Sequence, residues 1–190
     1  MKRYFLAIAV ATMTATAAHA QQSVGDRFTR SACSTRPVSA AVQKANLRIA
    51  RAFVMEGLAG GDMTAFDRYV APDVWVSTGL KPGAPITSRD EYKAVISATL
   101  RKALSPKNAD LSINDALVTT DGRVIIRFTA HADHIGELDG VPATNRRLTL
   151  AETHLFCLRD GLIVENYVGA LNPLQWEMIY SDGIKREVLP

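Results

Sequence analysis

The chain has 190 residues, with 22 Lys and Arg against 19 Asp and Glu, so its formal net charge at neutral pH is +3. That length fits one domain and is sufficient to bury a hydrophobic core. No stripe of Lys and Arg follows a predicted helix, which argues against a nucleic-acid partner.

The first 20 residues have the features of an export signal. Lys2 and Arg3 give a positive start, residues 4–18 are apolar and small, and Ala18-His19-Ala20 has the small-x-small form of a cleavage site. Three threonines interrupt the short apolar run, which argues against a membrane anchor. We therefore predict a signal peptide over 1–20, a periplasmic or secreted protein, and no membrane partner after cleavage.

Residues 21–37 are rich in Ser, Thr and Arg without apolar periodicity, and we predict an N-terminal arm there. Cys33 lies in this arm and Cys157 in a later predicted strand, and they are the only two cysteines. An oxidising compartment permits a disulfide between them. Two free thiols are the open alternative, because the sequence does not supply the Cα–Cα distance that a disulfide requires.

Helical patterns follow the arm. Apolar residues recur at helical spacing over 42–58, with Ser39 as a possible N-cap and Gly60-Gly61 as a stop. Asp62 is placed to cap a short helix that ends before residue 71. Residues 88–91, Ser-Arg-Asp-Glu, match the capping-box pattern and predict a further amphipathic helix.

The remaining segments are predicted to be strands. Residues 74–76 form a short one, and longer ones run roughly over 111–119, 123–134, 147–158 and 162–170. Asp-Gly pairs at 121–122 and 160–161 predict tight hairpin turns. Helices followed by an antiparallel meander predict an α+β fold, in which a curved sheet packs on the N-terminal helices and leaves a cavity at its open end.

The alternation of side chains along each strand indicates which residues face that cavity. In the second long strand Phe128 and His134 fall on the apolar face and His131 on the other. In the third, Glu152 and His154 interrupt an apolar face. The other residues predicted to bind a ligand are Phe53, Trp75, Val164, Asn166 and Val168.

Three side chains are candidates for catalysis. His154 beside Glu152 could exchange a proton, since imidazole titrates nearest to neutral pH; alternatively, the two form a buried pair that only satisfies its own hydrogen bonds. His134, near a strand end, is a further catalytic candidate or a residue of the cavity rim. His131 and His134 lie three apart on a strand and point opposite ways, so no metal site is predicted.

Several motifs occur in order along the second half of the predicted domain. They are Phe128-Thr129-Ala130, His-Ile-Gly-Glu at 134–137, Gly-Val-Pro-Ala-Thr at 140–144, Phe156, and Asp-Gly-Leu-Ile-Val-Glu-Asn-Tyr at 160–167. In order and spacing this set resembles the SnoaL-like polyketide cyclases of the nuclear transport factor 2-like superfamily. The resemblance implies a cone-shaped α+β domain, the cystatin-like roll, over residues 38–172, with a tail over 173–190.

The resemblance also implies chemistry, with departures. Family cyclases carry an Asp just after the last motif as the general acid/base of an aldol ring closure, and Val168 stands at that position here. His154 matches a histidine of the family. Asn145 replaces a turn glycine, which is tolerable because Asn accepts left-handed backbone geometry.

Together these features predict a mostly apolar pocket for a small apolar or carbonyl-containing organic ligand, with no cofactor. His154 and Glu152 would exchange a proton, while His134 and Asn166 would hold a carbonyl or enolate oxygen. Because Val168 replaces the family Asp, the alternative is a non-catalytic ligand-binding or assembly module that forms a homodimer through the open face of the sheet.

Overall fold

The computed structural model describes residues 33–81, 84–105, 110–138 and 141–169. The predicted signal peptide over 1–20, most of the predicted arm and the predicted tail over 173–190 lie outside these residues. Within the described part of the chain, no helix is long and apolar enough to cross a membrane.

The first helical segment supports the sheet. Helix α1 spans Ala40–Ala52 and continues directly as a π-helical segment over Phe53–Ala59. Ser39 caps α1 as predicted, because its Oγ accepts a hydrogen bond from the Val42 N–H at 3.3 Å. The wider π-helical winding stops at Gly60, and Gly61 then takes a left-handed φ of 73°.

Three shorter helices follow. Helix α2 covers Thr64–Tyr69, α3 covers Arg89–Ala98 and α4 covers Leu100–Ala103. The side chain of Asp62 accepts from the Thr64 N–H at 2.8 Å, and that of Ser88 accepts from the Glu91 N–H at 3.2 Å. Both predicted caps are therefore confirmed, and they fix where α2 and α3 begin.

In the described part of the chain, five strands form one sheet in the order β1-β5-β4-β3-β2. They are β1 Val70–Ser77, β2 Asp110–Val118, β3 Val124–Asp133, β4 Arg147–Arg159 and β5 Leu162–Gly169. Strands β2 to β5 form the predicted antiparallel meander. Strand β1 is outside this meander and pairs in parallel with β5, with Trp75 opposite Glu165. A parallel pair requires a long crossover, and here the chain passes through the other strands before it returns.

The turns follow the sequence closely. Asp160 and Gly161 have φ values of 52° and 78°, the two positive angles of a tight hairpin turn, and Gly122 has a φ of 84°. Asn145, at 55°, takes the left-handed conformation expected for it.

A bulge in β5 changes which residues face the cavity. Cys157 pairs with Glu165 but Leu158 pairs with Ile163, which leaves Val164 as the extra residue. Ile163 therefore packs in the main core, whereas Val164 packs with Ala71 and Cys157 in a separate cluster. The prediction that Val164 lines the cavity fails for this reason, since a bulge shifts the alternation by one residue.

The main core lies between the helices and the concave face of the sheet. Phe53 is fully buried at its centre, with its ring edge-on to Phe66 at 5.0 Å and to Phe156 at 6.1 Å between centroids. Phe66 also meets Tyr92 edge-on at 5.1 Å. Such aromatic pairs add to the stabilisation from burial itself. Phe53 thus holds the π-helical segment to the sheet and, contrary to prediction, does not line the cavity.

Cys33 and Cys157 form a disulfide, with their Cα atoms 5.8 Å apart. That separation is within the usual range for disulfides. The bond resolves the alternative that the sequence left open, and it ties the residues before α1 to the strand that carries His154.

Candidate functional site

The site is a cavity of about 90 Å³ between the helices and the concave face of the sheet. Most of its wall is apolar and includes Leu58, Ile96, Leu111, Phe128, Leu150 and Val168. Tyr92, Arg101, Glu152 and His154 are among the few polar residues that line it. An apolar wall with a small number of polar groups is typical of small-molecule sites.

His154 is held rigidly in the wall. It lies on β4 opposite Ile126 of β3 and Val168 of β5, and is only 2% exposed. Its ring is near-parallel to those of Phe128 and Phe156, with centroid distances of 5.3 and 5.4 Å. Packing between two aromatic rings fixes the plane of the imidazole, so its two nitrogens point at defined partners.

The first of these partners determines the tautomer. Nδ1 of His154 lies 3.1 Å from Oδ1 of Asn166, and Nδ2 of Asn166 donates to the hydroxyl of Tyr92 at 3.0 Å. An amide oxygen can only accept, so the Nδ1 of His154 carries a hydrogen and donates it. Asn166 is fully buried and uses both ends of its amide in this chain of contacts.

The second partner is Glu152. Its Oε2 lies 3.0 Å from Nε2 of His154, and its side chain is only 12% exposed. Because Nδ1 donates to Asn166, a hydrogen bond between Nε2 and Oε2 requires one further proton, on the imidazole or on the carboxyl group. A carboxyl group and an imidazole in contact at the cavity wall have the chemistry that a general acid/base requires.

Tyr92 is a site residue that the sequence did not reveal. It extends from α3 and is 2% exposed, and burial raises the pKa of its hydroxyl, with Glu152 adding to the rise and the hydrogen bond from Asn166 opposing it. The hydroxyl therefore stays protonated. It accepts from Asn166, and its own hydrogen has no acceptor among the described residues. The sequence did contain one signal for Tyr92. Its hydroxyl lies on an otherwise apolar helix face, near Ile96, and a buried polar atom needs a hydrogen-bond partner.

His134 lies away from this cavity. It is buried in the turn after β3, where Nδ1 lies 3.0 Å from Oγ1 of Thr144 and accepts from the Thr144 N–H at 3.3 Å. Burial lowers the pKa of its imidazole. Alternation correctly placed His134 on the buried face, but the end of β3 carries it past the cavity, so the structure does not unite it with His154 and Glu152.

Trp75 also lies elsewhere. Its neighbours Val74 and Val76 pack in the main core, so Trp75 points from the opposite face of the sheet, where its ring centroid is 5.0 Å from that of Tyr167. Of the residues predicted to line the cavity, the structure brings together Glu152, His154, Phe128 and Val168, with Asn166 directly behind them. No group of His, Cys, Asp and Glu in the described parts of the chain is arranged to hold a metal ion.

The curved five-stranded sheet on N-terminal helices, with a cavity between them, defines a protein of the nuclear transport factor 2-like fold. Residues 48–168, more than half of the chain, match the model of the SnoaL-like polyketide cyclase family. The chain belongs to that family.

Solved structures agree on the fold. A proposed SnoaL-like polyketide cyclase from Jannaschia sp. CCS1 superposes with a TM-score of 0.65 at 16% identity, over 78% of this chain and 99% of that one. IdmH, a proposed polyketide cyclase from Streptomyces antibioticus, gives 0.56 at 22% identity over 71% and 98%. AclR, a proposed hydroxylase from Streptomyces galilaeus, gives 0.56 at 23% identity over 74% and 86%. No curated protein matched the chain. At such low sequence identities the solved structures support the fold alone, so the activity has to be inferred from the residues of the site.

Proposed function

We propose that this protein catalyses cofactor-free proton transfer at a carbon next to a carbonyl group in a small, largely apolar organic molecule, as in a cyclisation or an isomerisation. The observation that supports this most strongly is the contact of 3.0 Å between Oε2 of Glu152 and Nε2 of His154 at the wall of an apolar cavity. Family membership supports the cyclase type of chemistry in general.

The proposed step begins with the pair as imidazolium and carboxylate. Glu152 takes the proton from the carbon, and the electrons of the broken C–H bond move into an enolate. The imidazolium of His154 stays charged beside the enolate and lowers its energy, because charges interact strongly where water is excluded. Glu152 then returns the proton, either to the oxygen of a second carbonyl after carbon–carbon bond formation or to another carbon in an isomerisation.

Tyr92 is the better donor to the enolate oxygen. The sequence suggested His134 and Asn166 for this role, but His134 lies outside the cavity and Asn166 bonds His154 and Tyr92. Tyr92 lines the cavity, and its hydroxyl hydrogen has no acceptor among the described residues. A donor held in place before the reaction is effective because nothing has to reorganise as charge develops.

An exchange assay in D₂O tests the proposal. The methyl ester of 4-oxo-4-phenylbutanoate has acidic hydrogens beside its ketone, and their loss is followed by proton NMR. Wild-type protein should accelerate the exchange, and Glu152→Gln should slow it by about 10²–10⁴-fold, the usual contribution of a general acid/base. Glu137→Gln, at an exposed position outside the cavity, is the matched control and should behave as wild type. Equal exchange by a folded Glu152→Gln variant would show that the assignment is wrong.

A non-catalytic binding module is the second candidate function. It is favoured by Val168, which lines the cavity with an apolar side chain at the position where the resemblance implies an acid/base Asp. Under this reading the wild type binds ketones without accelerating exchange. The proposed homodimer would use the open face of the sheet, and light scattering after gel filtration measures the mass of the assembly directly.

We also propose export to the periplasm or the medium. The disulfide between Cys33 and Cys157 supports it, because such bonds persist in oxidising compartments. Fractionation of cells that express the full chain, followed by mass measurement of the exported form, tests both the location and the cleavage after Ala20.

A further inference from the structure

Arg101 places a cation in the wall of the apolar cavity. It lies on the short helix α4, and Nη2 of its guanidinium donates to the carbonyl oxygens of Gly57, at 3.0 Å, and of Leu58. These carbonyls belong to the π-helical segment, whose end forms part of the same wall. Gly61 leaves space for the guanidinium, since a Cβ there would lie 2.8 Å from its central carbon. The charge is therefore held in one position.

The contacts of this guanidinium are all to neutral groups. No carboxylate pairs with Arg101 among the described residues, and burial alone lowers the pKa of its guanidinium. Its Nε is buried without a hydrogen-bond partner in that part of the chain. A partly buried charge without a counterion, and a buried donor without an acceptor, both cost stability unless a ligand supplies what is missing.

The two acids that line the cavity do not fill this need. Oε2 of Glu152 lies 3.0 Å from Nε2 of His154, and the exposed carboxylate of Asp110 lies 3.4 Å from Arg147 and 4.0 Å from His131. The cavity therefore has an acid/base pair in its wall and, separately, a cation that no described acid neutralises.

We infer that Arg101 is the specificity-determining residue of this site and binds a carboxylate of the ligand, so that the preferred ligands are keto acids rather than their neutral esters. This inference rests on the proposed function for the ketone but requires only binding. Nη2 is engaged by the two carbonyls, and no hydrogen bond of Nη1 is made among the described residues, so the Nη1 amino group is the charged donor offered to a carboxylate oxygen.

Binding measurements on matched pairs test the inference. The probes are 4-oxopentanoate and 4-oxo-4-phenylbutanoate, each compared with its methyl ester by NMR-detected titration of the disulfide-bonded protein. Wild type should bind each acid about tenfold more tightly than its ester, as one additional charged hydrogen bond allows. Arg101→Gln should remove that preference, because it should weaken binding of the acid about tenfold and leave binding of the ester nearly unchanged.

Two further variants distinguish charge recognition from a structural role. Arg101→Lys keeps the charge without the planar fork and should retain part of the preference for the acid. Lys102→Gln removes an exposed positive charge from the adjacent residue, which does not line the cavity, and should leave the preference intact. If Arg101→Gln does not fold, the acid-to-ester ratio of wild type and of Arg101→Lys still decides the question.

Several results would overturn the inference. They are equal affinity of wild type for acid and ester, an equal loss of affinity for acid and ester in Arg101→Gln, and no binding of any of the four compounds at about 10 mM. The Glu152→Gln variant separates this inference from the proposed function. If it keeps the preference for the acid and wild type shows no exchange, the carboxylate site stands and the proton-transfer proposal fails.

Discussion

Nδ2 of Asn166 donates to the hydroxyl of Tyr92 at 3.0 Å, and this contact joins strand β5 to helix α3 across 74 positions of sequence. Through the other end of its amide, Asn166 also fixes the imidazole of His154. One buried side chain thus sets the tautomer of the histidine and anchors the hydroxyl of Tyr92.

Replacing this amide should damage both stability and activity. Asn166→Ala leaves the Nδ1–H of His154 buried without a partner, and the lost contacts should lower the free energy of unfolding by about 2 kcal/mol or more. Urea denaturation measures the loss. Asn114→Ala is the control, because Asn114 is exposed and its side chain bonds only Thr129 among the described residues, so its effect should stay below about 0.5 kcal/mol. Equal effects of the two substitutions would contradict the structural role of Asn166.

Tyr92→Phe isolates the hydroxyl from the ring. The ring contact with Phe66 is retained, so stability should fall by only about 1 kcal/mol, while the exchange rate should fall by about 10²–10³-fold if the hydroxyl stabilises the enolate. The loss should appear in kcat more than in KM, because the contact strengthens as charge develops. A change in KM alone would make Tyr92 a binding residue.

The pH dependence supplies a second test of Tyr92. Burial raises the pKa of its hydroxyl, so its hydrogen should be retained at pH values where an ordinary tyrosine, with a pKa of about 10, begins to ionise. We expect wild-type exchange to show no tyrosine-linked decrease up to about pH 10. A decrease that begins near pH 9 and disappears in Tyr92→Phe would contradict this expectation.

Val168 offers a gain-of-function experiment. It lies directly opposite His154 in the β4–β5 pairing, so the two side chains share one face of the sheet. Introducing Val168→Asp into the Glu152→Gln variant should place a carboxylate beside the imidazole again and recover part of the exchange activity. Val168→Asn, which has a similar shape and no charge, is the matched control and should recover none.

The disulfide should contribute measurably to stability. Cys33 and Cys157 are 124 positions apart, and a cross-link over so long a segment restricts the unfolded chain strongly. The double substitution Cys33→Ser and Cys157→Ser should lower the free energy of unfolding by about 2–4 kcal/mol. Wild type in a thiol reductant should show the same loss in urea denaturation. A loss of stability in only one of these two measurements would mean that the serine substitutions, or the reductant, destabilise the protein by some effect other than removal of the disulfide.

His134 should make the protein sensitive to mild acid. Burial lowers the pKa of its imidazole in the folded state below the ordinary 6.5, so the unfolded chain binds a proton first as the pH falls. The stability from the neutral ring is present above pH 6.5 and is lost progressively below it. We expect the urea midpoint of wild type to fall between about pH 7.5 and pH 5, and His134→Asn to reduce that decrease. An equal decrease in the variant would assign the effect to other groups.

Features that depend on neighbouring residues were predictable from the sequence. The caps at Ser39, Asp62 and Ser88 and the Asp-Gly hairpin turns arise from local hydrogen bonds and backbone angles, so the residues themselves specify them. The pairing of Glu152 with His154 was also within reach, because residues two apart on a strand share a face.

Features that depend on distant parts of the chain were not predictable. The parallel β1–β5 pair arises from the return of the chain across the sheet, and the bulge at Val164 arises from the register between β4 and β5. The positions of Tyr92 and Arg101 at the cavity depend on how α3 and α4 pack on the sheet. Periodicity shows which side of an element is buried, but it does not show which other element covers that side.

The position of β5 between β1 and β4 determines the order in which the fold can form. Val70 of β1 pairs with Ile163 of β5, and about half of the chain lies between them. Strand β1 therefore cannot pair until that half has been synthesised. Contacts at such long sequence separation form slowly. A nascent chain of this protein therefore cannot complete its sheet while residue 162 is still inside the ribosome, so the domain becomes fully folded only after nearly all of it has been synthesised.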